Sequence, residues 1–206
     1  MSRTVRALAS SALLLASLGL AGCSSGTGET VDLADGEALV WGDGPQGVVL
    51  AHGASYDAAS WEDQAVALAD AGATVVAIED LSAEAVGAAV QRLRQVDGVE
   101  QVTLVGASAG ADTVLGAVAE QPRLADQLVL LSPTDAVSDL PDQPKLFVAS
   151  QGDPVAAASD EMAATSSGDD NELLLLPGDA HAQAIFETDQ GDRVLDAITE
   201  RVEDGV

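Results

Sequence analysis

The sequence predicts an α/β domain with a mostly parallel central sheet and helices on both faces. Three observations lead there. Six short apolar runs, at residues 48–51, 73–78, 102–105, 128–131, 146–149 and 173–176, are nearly continuous, as in strands covered on both faces. Segments with helical periodicity lie between most of them. Finally, strands alternating with helices call for parallel pairing through crossovers.

Taken in order, Val31-Asp32-Leu33 and Ala38-Leu39-Val40-Trp41 flank a turn containing Asp35-Gly36 and read as an antiparallel hairpin leading into the sheet. Ser60-Trp61-Glu62-Asp63 reads as a capping box opening a helix that ends near Ala71. Ser82 is the expected N-cap of a second helix, where Val86, Ala89, Val90 and Leu93 recur at i, i+3, i+4 and i+7. Another helix is expected after residues 102–105, through Ala119. Val194, Leu195, Ile198 and Val202 mark the last one. No internal repeat or second domain is visible, and the folded domain is expected to span residues 31–206.

Residues 1–22 stand apart. Arg3 and Arg6 precede an apolar stretch from Ala7 to Leu20, short of the ~20 residues that span a bilayer. This is the arrangement of a secretory signal. Its end, Leu20-Ala21-Gly22-Cys23, resembles the lipobox of bacterial lipoproteins. That resemblance implies a diacylglycerol thioether on Cys23 after cleavage, and so an extracytoplasmic protein anchored to the cell membrane; the alternative is a plain secretory peptide with an incidental cysteine. Residues 23–30, through Ser24-Ser25-Gly26-Thr27-Gly28-Glu29, read as a flexible tether. Cys23 is the sole cysteine, so no intramolecular disulfide can form.

Eight basic residues against 34 acidic ones give a net charge of −26, or −28 once Arg3 and Arg6 leave with the signal. Such a surface repels nucleic acid and anionic headgroups. The acids are spread evenly, as on a solvated face.

In open parallel sheets, ligands bind beyond the carboxyl ends of the strands. After residues 102–105 comes Gly106-Ala107-Ser108-Ala109-Gly110, then a helix. A serine on a sharp strand-to-helix turn needs small neighbours, which Gly106 and Gly110 supply, and it faces the N–H groups that open the helix. A phosphate loop is excluded because no Gly-Lys-Ser/Thr follows, and the Gly-x-Gly-x-x-Gly of a dinucleotide site is absent. The plain alternative is a structural turn.

A serine hydroxyl needs a base. The chain has two histidines. His181 follows the last apolar run, in Pro177-Gly178-Asp179-Ala180-His181, at the same sheet edge as Ser108. His52, in Leu50-Ala51-His52-Gly53-Ala54, is better placed to shape a loop. A carboxylate must in turn hold the base. Asp153, in Gln151-Gly152-Asp153-Pro154, follows residues 146–149 at that edge, and Pro154 restricts it to extended geometry. Asp135 is the runner-up, and Asp179 is too near His181 in sequence to orient it easily. No metal is expected, since the histidines are far apart and no Asp-x-Asp-x-Asp-Gly loop occurs. No cofactor is implied.

In this order, His-Gly after a strand, Gly-x-Ser-x-Gly, Gly-Asp-Pro and a late Pro-Gly-x-x-His resemble the α/β-hydrolase fold family. The resemblance covers nearly the whole mature domain, including His52-Gly53-Ala54 leading to Trp61, and Ala182-Gln183-Ala184-Ile185-Phe186 after the histidine. It implies Ser108 as nucleophile, Asp153 as acid and His181 as base. The backbone N–H groups of Ala54 and Ala109 would form the oxyanion hole, with His52-Gly53 as the oxyanion loop and His52 structural. The serine, where some small relatives carry cysteine, argues against a cysteine-type lactone hydrolase.

Many relatives insert a lid before the strand at 146–149. Here Ser132 to Lys145, with Pro133, Pro141 and Pro144, are too few for a helical lid, so a three-layer domain with a shallow, open site is expected. That disfavours long-chain triglyceride lipase chemistry. Tyr56, Trp61 and Phe186 are the aromatics expected near the cleft. The function expected is hydrolysis of small or accessible ester-type bonds through an acyl-enzyme. The alternatives are a non-catalytic surface lipoprotein that binds or scaffolds, and acyltransferase or peptidase use of the same triad.

Overall fold

The computed structural model describes residues 26–34 and 36–205; the leader, Cys23, Asp35 and Val206 lie outside the described residues. Eight strands form one sheet: β1 (Glu29–Leu33), β2 (Gly36–Trp41), β3 (Gln46–Ala51), β4 (Ala73–Ile78), β5 (Gln101–Ala107), β6 (Gln127–Leu131), β7 (Lys145–Ser150) and β8 (Asn171–Leu176). Their spatial order is β1-β2-β4-β3-β5-β6-β7-β8. The expected hairpin is present: β1 pairs antiparallel with β2, and β2 antiparallel with β4. All pairings from β4 through β8 are parallel.

Five helices cover the sheet: α1 (Glu62–Asp70), α2 (Ala83–Leu93), α3 (Ala109–Glu120), α4 (Ala156–Thr165) and α5 (Gly191–Asp204). Successive strand residues point to opposite faces, which divides the core in two. Val49, Ala51, Val76, Ile78, Leu104 and Leu130 pack with α2 and α3 residues such as Val86 and Val114. Val48, Leu50, Val75, Ala77, Val105 and Leu131 pack on the other face with Leu68 of α1 and Val194 and Ile198 of α5. The near-continuous apolar runs are explained by this double covering, and the expected three-layer α/β architecture is the one observed. Between β6 and β7, residues 132–144 contain no helix and form no lid.

Three local readings need correction. Ser60 does not open α1 as a capping box. Asp57 caps a short 3-10 helix (Ala58–Trp61) ahead of it, its carboxylate accepting from Ser60 N at 2.9 Å, and α1 has no side-chain cap. β8 is an edge strand and alternates, with Leu176 buried and Leu175 38% exposed. Trp61 is core rather than cleft: it is fully buried and meets Phe186 edge-to-face, centroids 5.8 Å apart at 72°. Ser82, by contrast, caps α2 as expected, accepting from Ala85 N at 3.1 Å.

Lys145, the single lysine of the chain, opens β7 with no exposed surface. Its ammonium donates to Gln143 O at 2.7 Å, Ser167 O at 2.9 Å and Asn171 Oδ1 at 3.2 Å, using all three protons. It ties the two segments that enter β7 and β8 at the edge of the sheet opposite Ser108. Burial lowers its pKa from the ordinary 10.5, and the nearby Asp142 carboxylate opposes that shift. A base with a lowered folded pKa holds fewer protons than the unfolded chain between that value and 10.5, so folding gains stability as pH rises through this window. With one tyrosine and one cysteine besides, little else titrates there. Lys145→Met is therefore expected to lower unfolding free energy at neutral pH by about 2 kcal/mol, through orphaned acceptors. It should also flatten the alkaline rise seen in wild-type urea denaturation.

Candidate active site

Ser108 stands between β5 and α3 with φ +51° and ψ −117°, a backbone conformation rarely adopted by a residue with a side chain. The positive φ falls on the serine, and the flanking glycines are needed for room. A Cβ on Gly106 would lie 2.6 Å from Ala111 Cα and Gly110 O. One on Gly110 would lie 2.2 Å from Ala51 O and 2.6 Å from His52 O. The first turn of α3 is thus pressed against the ends of β5 and β3. Ser108 N donates to Leu131 O at 2.8 Å, extending the β5–β6 ladder into the turn, and Asp112 N donates to Ser108 O at 3.0 Å.

His181 and Asp153 arrive from the loops after β8 and β7, beyond β6 in the sheet. His181 Nε2 lies 2.7 Å from Ser108 Oγ, and its Nδ1 lies 2.8 Å from Asp153 Oδ2. The Asp153 side chain is 1% exposed and that of His181 42%, so the carboxylate is shut in while the ring reaches the surface. Asp153 holds its own position: its Oδ1 accepts from Val155 N at 3.1 Å in a local turn. The two loops are joined by Gln151 N donating to Leu176 O and Gly152 N to Gly178 O, both at 2.8 Å. Gly152 permits this, since a Cβ there would lie 3.0 Å from Asp179 Cβ and Gly178 O. Asp135 is exposed on the loop after β6.

The loop after β3 lies alongside. His52 is buried, with Nδ1 2.8 Å from Gly53 O and Nε2 3.1 Å from Glu79 O. Gly53 O also accepts from Tyr56 N at 2.9 Å, closing a turn that leaves Ala54 exposed at its tip. Ala109 opens α3, where a helix leaves its first N–H groups without partners in the helix.

Three side chains that hold these loops were not singled out in the sequence. Ser132, buried with φ +45°, accepts from Ala182 N at 3.1 Å and so grips the residue after His181. Gln183, 4% exposed, spans from Gly53 N to Ser60 Oγ. Glu79 accepts from Ala58 N at 3.0 Å. Ser132 had one legible signal, its place directly after a strand on the ligand-binding edge. Glu79 had the same signal, directly after β4, and Gln183 had only its place in the segment that follows His181.

No group of three or more potential metal ligands occurs among the described residues. A groove of about 1000 Å³ between α2 and the loop after α3, lined by Gly87, Arg94, Gln121 and Arg123 among others, includes none of the three side chains.

Compared by sequence, the chain matches no protein-family profile and no curated protein. Compared by structure, it is similar to a dienelactone hydrolase from Anabaena variabilis, with a TM-score of 0.69, 19% identity, and 87% of this chain and 97% of that one covered. A monoacylglycerol lipase from Paleococcus ferrophilus gives 0.68 and 16%, covering 84% and 99%. A thermophilic carboxylesterase cloned from a metagenomic library gives 0.67 and 17%, covering 86% and 88%. At these identities the likeness establishes the fold, which is that of the α/β-hydrolases.

Two substitutions check the elbow. Gly110→Ala is expected to cost about 3 kcal/mol or more of folding stability, because backbone must move to admit the methyl group. Ser108→Gly should raise stability by about 1 kcal/mol by relieving the positive φ. Both are read from denaturation midpoints.

Proposed function

We propose that the protein is an extracytoplasmic serine hydrolase that cleaves small or accessible ester-type bonds through an acyl-enzyme. The observation that carries this is the unbroken line Ser108 Oγ, His181 Nε2, His181 Nδ1, Asp153 Oδ2, with links of 2.7 and 2.8 Å. Asp153 accepts from Nδ1–H, which leaves Nε2 free to take the hydroxyl proton. Ser108 Oγ attacks the acyl carbonyl as its proton passes to Nε2, and the buried carboxylate stabilises the imidazolium. The oxyanion that forms is received by the N–H groups of Ala54 and Ala109, at the positive end of α3. Collapse expels the alcohol, which takes the proton from His181. Water then attacks the acyl-serine with His181 again as base, releasing acid and free Ser108.

The absence of a lid over residues 132–144 supports substrates that are short or held on a larger surface, since nothing encloses a long chain. The hydrolase names of the structural neighbours support the reaction class. In this reading Cys23 carries the lipid that holds the domain at the membrane, on a tether shorter than the expected residues 23–30, since Glu29 and Thr30 pair with β2 as the start of β1.

Folded protein should label with a fluorophosphonate and hydrolyse a short-chain nitrophenyl ester, and Ser108→Ala and His181→Ala should do neither. Asp153→Asn should lower kcat about 10⁴-fold, because the amide presents the wrong partner to Nδ1. A wild-type domain inert to both reagents would leave a binding role instead. A panel of esters, thioesters and amides identifies the scissile bond. Intact-mass analysis of membrane-extracted protein should place a diacylglycerol and a cleaved leader at Cys23, with Cys23→Ser recovered in the soluble fraction.

A further inference from the structure

We infer that Gln183 is a positioning residue for the oxyanion hole, a role that rests on the hydrolase reading above. The peptide group between Gly53 and Ala54 carries the Ala54 N–H. Its carbonyl, Gly53 O, accepts from Tyr56 N at 2.9 Å and lies 2.8 Å from His52 Nδ1. The preceding peptide group, between His52 and Gly53, carries the Gly53 N–H, and that proton goes to Gln183 Oε1 at 2.7 Å. The two peptide planes meet at Gly53, a residue with the widest backbone freedom. Holding both planes sets where the Ala54 N–H points. Gln183 holds one of them.

The orientation of the Gln183 amide is settled by its partners. A backbone N–H only donates, so the oxygen must face Gly53 and the nitrogen must face Ser60. Gln183 Nε2 donates to Ser60 Oγ at 2.9 Å, and Ser60 Oγ–H goes on to Asp57 O. Each group in this series is used in one sense only, so no flip leaves it satisfied. Gln183 also lies two residues beyond His181, in the short 3-10 helix (Ala182–Glu187) that Ser132 grips through Ala182 N. One buried side chain therefore ties the loop that bears the base to the loop that bears the oxyanion donor, across 130 residues of sequence.

The test compares an oxygen ester with its thionoester, in which sulfur replaces the carbonyl oxygen. Sulfur is a weak hydrogen-bond acceptor, so the thionoester draws little from the oxyanion donors. Gln183→Leu should lower kcat/KM for the ester about 10- to 100-fold, mostly in kcat, while the thionoester rate changes little, so the ratio of the two collapses. Ser60→Ala, which removes only the far anchor, should shift the ratio in the same direction by less. Both variants are compared at matched melting temperature and circular dichroism. If Gln183→Leu fails to fold, Ser60→Ala alone decides, and an unchanged ratio there overturns the inference. Equal losses on both substrates also overturn it, because Gln183 would then be acting through His181 or through general stability. Wild type with no turnover of any ester overturns the hydrolase reading and this role with it; active wild type with a fixed ratio overturns the role of Gln183 alone.

Discussion

The close approach of α3 to the ends of β3 and β5 is the constraint on which the candidate site depends. With a side chain at position 110 the helix would stand off from Ala51 O and His52 O, and with one at position 106 the elbow could not fold back on Ala111. The strain of Ser108 is a consequence of this packing: the turn has no length in which to relax, and the ladder bond from Ser108 N to Leu131 O holds it to β6. The same approach delivers the unpaired N–H groups of α3 to a point beside the serine hydroxyl. The serine hydroxyl, the first turn of α3 and a neighbouring loop are brought together by the absence of two methyl groups.

Much of this was legible in the sequence because it is written in local patterns. The apolar runs gave the six parallel strands, and Ser82 with the Val86 stripe gave α2. The elbow, Asp153 and His181 could be located because each lies in the loop or turn that follows a strand in a parallel sheet, so one topological rule places all three at one edge. Where local pattern was weak or misleading, tertiary structure decided. In α4, AAASDEMAAT, Ala158, Ser159 and Met162 are the buried positions, so no apolar stripe announces the helix. Ser60 looks like a cap by spacing, yet its hydroxyl is taken by Gln183 and Asp57. The alternation in β8 was hidden because its outward-facing Leu175 is as apolar as its buried neighbours.

The supports of the site were the least legible part. Ser132, Gln183 and Glu79 act through hydrogen bonds to backbone far away in sequence, and such bonds leave no periodicity and no spacing. They become visible as buried polar atoms whose partners can be traced. Their arrangement has a common logic. Each binds a loop at the carboxyl edge to something other than its own strand, so loops that would otherwise move separately share one frame. The His181 loop is held by β6 through Ser132 and by the β3 loop through Gln183. The Asp153 loop is held to the His181 loop through the Gly152–Gly178 contact.

The enclosure of Lys145 has a consequence for the chemistry of the surface. It is the chain's one side-chain amine, and its three protons are committed within the fold. An acyl-enzyme of the kind proposed above would expose the protein to stray acylation of its own lysines. Here the folded exterior offers no side-chain amine to receive them. The same seclusion makes amine-reactive reagents a gauge of conformation: Lys145 accepts a label once β7 and β8 have come apart.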